Sequence, residues 1–202
     1  MEPKLVSNTL EILDREIPHL REKIKSVQLC FTTDPFMCGF DEIKIMSLSA
    51  INKLNNAQIK CTVLTKGILP FELSQFSEEN EYGITLISLD ENYRKKVEPG
   101  AAPYGARLNA LRKLHDAGCK TWVSIEPFPT PNLIDQDINE ILNAVLFTDR
   151  IIFGRTNYNK EITAYSNHKE FYNEQAKKVI GFCIEHKIAY HIKTGTTTQD
   201  VK

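Results

Sequence analysis

Six short apolar runs, each followed by a stretch with helical spacing, constrain this chain more than any other feature. The runs are 27–31 (VQLCF), 59–65 (IKCTVLT), 83–89 (GITLISL), 120–126 (KTWVSIE), 150–154 (RIIFG) and 188–192 (IAYHI). Near-continuous apolar strands are expected where both faces of a sheet are covered. Helices are expected at 3–26, 41–56, about 70–78, 104–117, 135–146 and about 168–186. In the first, Leu5, Leu10, Leu13, Ile17 and Leu20 repeat with a helical period, and Pro18 is expected to kink or break it. In the second, Ile43, Met46, Ala50 and Leu54 share a face that also holds Ser47, with Ile51 at its margin. Leu108, Leu111 and Leu114 mark the helix at 104–117, and Gly118 suits its C-terminal cap.

Strand–helix alternation at this spacing predicts a parallel α/β sheet with outer helices. Two architectures fit: an open doubly wound sheet, or a full or partial β/α barrel. No G-x-G-x-x-G follows a strand and no Walker A motif is present, which weighs against the dinucleotide and P-loop classes. A chain of 202 residues, 42% hydrophobic, suits one domain over 1–202 with a real core. The net charge of −1 gives no electrostatic footprint for nucleic acid. No apolar run approaches the roughly 18 residues that span a bilayer, and MEPKLVSNTL lacks the basic start and apolar centre of a signal peptide. A cytosolic location is therefore expected.

The cysteines are Cys30, Cys38, Cys61, Cys119 and Cys183, with no C-x2-C or C-x3-C-x2-C among them. They are expected to be mostly buried small hydrophobes. Cys38, in a loop beside Asp34, is the candidate reactive thiol. No His, Cys or Asp group has metal-ligand spacing, and His168 and His186 are expected to be exposed helix residues.

In either architecture the functional site lies at the C-terminal ends of the strands. The first strand delivers Thr32, Thr33 and Asp34, and the second Thr65 and Lys66. The third delivers Ser88, Asp90 and Glu91, and the fourth Ser124 and Glu126. Arg155, Asn157 and Tyr158 follow the fifth; His191 and Lys193 close the sixth. Every strand thus ends in polar or charged groups, which points to a small-molecule site. Lys66 would pair a carboxylate or phosphate, and Ser88 a sugar hydroxyl. Glu126 and Asp34 would meet a cation or act as acid and base. The proline-rich loops EPFPTP (126–131) and EPGAAP (98–103) are expected to be stiff, with Glu98 facing either a ligand or solvent. The polar and aromatic stretch 157–175 would line a channel, stack on bases, or simply form a surface loop entering a helix.

The order of these motifs resembles the radical S-adenosylmethionine (radical SAM) superfamily, in particular its spore photoproduct lyase-like branch. TTDPF follows the first strand, TKG the second and ISL ends the third. EPGAAPYGARLNALRKLHDAGCKTWVSIEPFPTPN spans the next unit, where Arg107, Ala110, Leu111, Leu114, Ala117 and Gly118 match the family's helix. The resemblance runs from about Pro3 to about Pro131. It implies a partial (β/α) TIM-like barrel with S-adenosylmethionine as cofactor. Thr32, Thr33 and Asp34 would meet the methionine amino group, with Asp34 fixing the turn that holds it. Lys66 would pair the carboxylate, Ser88 the ribose, and Glu126 would border the adenine or the reacting carbon. Glu98, Arg155, Tyr158 and Lys193 would lie on the substrate side.

Members of the family hold a [4Fe–4S] cluster through C-x3-C-x2-C, and this sequence lacks that motif. The resemblance therefore implies that the first family strand and the cluster cysteines lie upstream of Met1 or on a partner chain, so that these six strands are the second to seventh of the barrel. The expected function is a radical SAM, lyase-like enzyme or its truncated C-terminal part, supplying the S-adenosylmethionine and substrate half of the site for 5′-deoxyadenosyl-radical chemistry. The alternatives are a non-catalytic barrel fragment acting as a binding or partner module, and a cluster-independent β/α-barrel hydrolase or lyase using Glu126 and Lys193.

Overall fold

The computed structural model describes residues 5–29, 33–155 and 165–198. Its elements in chain order are α1 (Thr9–Leu20), β1 (Ser26–Leu29), α2 (Asp41–Asn56), β2 (Lys60–Thr65), a short 3-10 helix (Phe71–Gln75), β3 (Glu81–Thr85), α3 (Glu91–Val97), α4 (Tyr104–Asp116), β4 (Lys120–Phe128), α5 (Ile138–Ala144), β5 (Arg150–Arg155), α6 (His168–His186) and β6 (Ala189–Ile192). The strands form one sheet in the order β1-β2-β3-β4-β5-β6. The pairs β1–β2, β2–β3, β4–β5 and β5–β6 are parallel. The chain divides into two compact units, Met1–Ile84 with Gly100–Thr121 and Thr85–Pro99 with Trp122–Lys202.

The first unit is built around α2 and β2. Ile43, Ser47, Ala50, Ile51 and Leu54 are the buried face of α2. Ile51 is fully buried, so it sits at the centre of that face, while Met46 is only half-buried. In β2, burial alternates with Cys61, Val63 and Thr65 inward. A polar network closes the lower end of this core. Asn80, 1% exposed, accepts from the Cys61 amide at 2.7 Å and donates to Asn55 at 2.8 Å and to the Tyr82 hydroxyl at 3.0 Å. Buried amides persist only when their donors and acceptors are matched in this way. In α4, Tyr104, Arg107, Ala110, Leu111 and Leu114 are buried, and Gly118 takes φ +87° just past its end, the left-handed conformation expected of a helix-terminating glycine.

In the second unit, β4 and β5 carry the deepest residues: Val123, Ile125, Ile151 and Phe153 are fully buried. Helix α6 packs on β5 and β6 through Tyr172, Ala176, Val179, Ile180 and Cys183. The aromatic residues Phe128, Phe153, Phe171 and Tyr172 make one cluster, with the Phe128 and Phe171 rings stacked at 6.0 Å.

Several boundaries differ from the sequence expectation. The helix expected over 3–26 covers Thr9–Leu20, with Pro18 inside it and no buried residue. The third strand, expected at 83–89, runs Glu81–Thr85; Leu86 and Ile87 stay buried outside it. The helix expected at 135–146 is confined to Ile138–Ala144, because Asp137 rather than Asp135 caps it. Helix α3 was not expected at all.

Candidate functional site

At the C-terminal end of β2 in the first unit, two turns are joined by one carboxylate. Asp34 Oδ1 accepts from the Phe36 amide at 2.9 Å and from the Thr65 hydroxyl, while Oδ2 accepts from the Lys66 amide at 2.6 Å. Thr65 Oγ1 in turn accepts from the Gly67 amide at 2.8 Å. The Lys66 carbonyl accepts from the Ala102 amide at 2.9 Å. The backbone on both sides of Lys66 is therefore pinned while its side chain is exposed. Gly67 makes the close approach possible: a Cβ there would lie 1.7 Å from the Phe36 carbonyl oxygen. Thr33 is exposed beside Asp34, and Cys38 is half-buried in the same loop. Thr32 lies outside the described residues.

In the second unit, the ends of β4, β5 and β6 meet across a glycine. Lys193 Nζ is 2.6 Å from Glu126 Oε2. A Cβ on Gly154 would meet the Glu126 side chain at 2.9 to 3.1 Å, so the absence of a side chain in β5 gives the carboxylate its space. Arg155 follows; its amide donates to the Thr196 hydroxyl at 3.3 Å, and its Nε is buried with no hydrogen-bond partner. Ser88 is fully buried and accepts from the Asp90 amide at 3.0 Å. It borders a cavity of about 560 Å³ together with Asp90, Gln136 and Glu140. Asp90 accepts from the Asn92 and Tyr93 amides, which makes it the cap of α3. Glu98 is 6% exposed, which removes the solvent-facing option. Tyr158 lies outside the described residues.

The structure thus brings Asp34 to the Lys66 backbone and Glu126 to Lys193. Gly67 and Gly154 were not singled out in the sequence. The signals for them were present: a glycine directly after a strand-end lysine, and a lone small residue in the apolar run RIIFG. In the described part of 157–175, Phe171 and Tyr172 pack on Phe128 rather than offering open rings, and the Tyr172 hydroxyl donates to the Phe128 carbonyl at 2.7 Å.

The described cysteines do not fit an iron–sulfur cluster. Cluster ligation needs thiolates that converge. Burial pushes the Cys61 thiol up to about 12 and Cys183 up to about 11, and raises Cys119 as well. No three His, Cys, Asp or Glu side chains gather to hold a metal ion among the described residues. No described helix is long and apolar enough to cross a membrane.

The C-terminal ends of the strands, where these polar groups gather, are where parallel α/β proteins bind their ligands. The chain belongs to the radical SAM superfamily, whose family model matches residues 1–145. It is similar to Uncharacterized protein ORF301 of Acidianus two-tailed virus, 27% identical over 136 residues covering 65% of this chain and 44% of that one. Among solved structures it resembles Streptococcus suis SuiB bound to S-adenosylmethionine, with a TM-score of 0.69 and 12% identity over 96% of this chain and 45% of SuiB. It also resembles spore photoproduct lyase complexed with dinucleoside spore photoproduct, with a TM-score of 0.63 and 14% identity over 92% of this chain and 66% of the lyase. These structural likenesses show the fold, the parallel α/β class of the radical SAM partial barrels. The chain spans less than half the length of the viral relative and of SuiB.

Proposed function

We propose that this chain binds S-adenosylmethionine and carries the cofactor and substrate half of a radical SAM enzyme. The observation that carries the reading is the clamp of Asp34, Thr65 and Gly67 around the Lys66 backbone, at the strand end that a cofactor of this family would use. The groups present fit the methionine end of that cofactor: one exposed cation on a fixed backbone, beside the turn that carries the exposed Thr33. Lys66 pairs the methionine carboxylate, and the turn carrying Thr33 meets the ammonium. Asp34 acts through the turn, because both its oxygens are already occupied by protein donors. By the family resemblance, Ser88 takes the ribose, Glu126 borders the adenine or the reacting carbon, and Lys193 lies on the substrate side. When bound and reductively cleaved, the cofactor supplies a carbon radical able to abstract a hydrogen atom; the protein fixes its orientation and excludes water. By this reading the three thiolates of a cluster would be supplied from outside these 202 residues, upstream or by another chain.

The test is S-adenosylmethionine binding by calorimetry, on the chain alone and with Lys66→Ala. A charge-assisted contact contributes about 1.5–3 kcal/mol, and the exposure of Lys66 favours the low end, so binding should weaken roughly tenfold. Unchanged binding removes Lys66 from the site, and no binding by either protein removes the reading. A second reading, a module that holds the cofactor without cleaving it, is favoured by the burial of Cys61 and Cys183. Formation of 5′-deoxyadenosine by the assembled protein would exclude it.

A further inference from the structure

The guanidinium of Arg155 has no counter-charge among the described residues. Its Nε is buried without a hydrogen-bond partner, and no carboxylate pairs with it among the described residues. Its neighbour Lys193 differs, being neutralised by Glu126 at 2.6 Å. The guanidinium lies against the turn that follows β6: Nη2 is 3.8 Å from where a Cβ on Gly195 would be, and Gly195 takes φ +80°. That turn is held at several points. The Thr196 amide donates to the Lys193 carbonyl at 3.0 Å, and the buried Thr196 hydroxyl accepts from the Arg155 amide at 3.3 Å. Two further bonds of 3.0 Å tie Thr198 to Asn173.

A guanidinium cannot shed its charge at physiological pH, and its fork of donors matches the two oxygens of a carboxylate or phosphate. A half-buried arginine on a fixed backbone, with Nε unspent and no carboxylate partner among the described residues, is prepared for an anion. A Cβ at Gly195 would stand in van der Waals contact with Nη2, so the glycine keeps that side of the guanidinium free of a side chain. We propose that Arg155 and the turn 193–196 form an anion subsite, so that the substrate of this protein carries a carboxylate or a phosphate. The inference rests on the proposed function only in naming the anion as substrate; the subsite itself stands on the geometry of the second unit.

The experiment is a titration of the 15N-labelled chain with inorganic phosphate and, separately, with acetate, at ionic strength held constant with sodium chloride. The Arg155 Nε–Hε signal, identified by its loss in Arg155→Lys, should shift saturably, together with the amides of Gly195 and Thr196. Arg155→Gln should weaken the response of those two amides about fivefold or more. A stronger response to phosphate identifies a phosphate-bearing substrate, and a stronger response to acetate a carboxylate. A shift that merely follows chloride, or an unchanged titration in Arg155→Gln, overturns the proposal. If the glutamine variant fails to fold, the Nε titration of the unmodified chain decides alone. S-adenosylmethionine binding measured on the same samples keeps the two readings apart: its absence defeats the proposed function and leaves the subsite standing.

Discussion

Each unit places one carboxylate at a strand end, and the two are held in opposite ways. Asp34 spends both oxygens on two backbone amides and a hydroxyl. Glu126 is held by a single long side chain, Lys193, which is half-exposed. The glycines beside them differ to match. At Gly67 a Cβ would strike a backbone oxygen, whereas at Gly154 its three nearest atoms would all belong to the Glu126 side chain. A backbone clamp cannot open without breaking the turn, while an ion pair at a partly exposed site exchanges partners at little cost. The first arrangement fixes a frame; the second leaves a charge that an incoming ligand can recruit.

The largest effect expected from this contrast is at Gly67. Gly67→Ala puts a methyl group 1.7 Å from the Phe36 carbonyl, and side-chain rotation offers no escape. Unfolding by denaturant should show a loss of at least about 3 kcal/mol. Gly154→Ala in the same assay should cost about 1 kcal/mol, since Glu126 can swing aside. Equal losses at the two glycines would erase the distinction between clamp and exchangeable pair.

Asp34→Ala comes next. It strips the Phe36 and Lys66 amides and the Thr65 hydroxyl of their acceptor, and should destabilise by about 2–3 kcal/mol. Because Asp34 is placed as a positioning residue, S-adenosylmethionine should bind more weakly to Asp34→Ala while the methionine-end contact through Lys66 persists. A double variant with Lys66→Ala should then fall further still. A single loss shared by both changes would mean that Asp34 and Lys66 act as one unit.

The frame was legible in the sequence where packing follows a simple period. Helix α2 begins and ends at the expected residues, as does α6, because each carries a long apolar stripe. Helix α3 escaped notice because its seven residues, ENYRKKV, bury only Arg94 and show no apolar repeat. Its one signal, Asp90, was read as a ligand group when its side chain serves the helix cap. The third strand was placed too late because Leu86 and Ile87 are as buried as strand residues while lying in a loop. The strand-end carboxylates were visible as residue types. Their partners were not, since whether an aspartate meets a ligand or a neighbouring amide depends on contacts as distant in sequence as Asp34 and Lys66.

The smallest effect separates two roles for Glu126. Glu126→Gln removes an ion pair whose lysine is 49% exposed at the side chain, so stability should change by less than about 1 kcal/mol and the difference should shrink as salt is raised. The variant frees Lys193 beside Arg155 and leaves two uncompensated cations on adjacent strand ends. If Glu126 borders the adenine, S-adenosylmethionine binding weakens while anion binding at Arg155 is unaltered. If Glu126 instead holds Lys193 in reserve for the substrate, cofactor binding is unchanged and phosphate or acetate binds more tightly than to the unmodified chain. Measuring both ligands on this one variant assigns Glu126 to the cofactor or to the substrate, because the exchangeable pair is released without disturbing the clamp in the first unit.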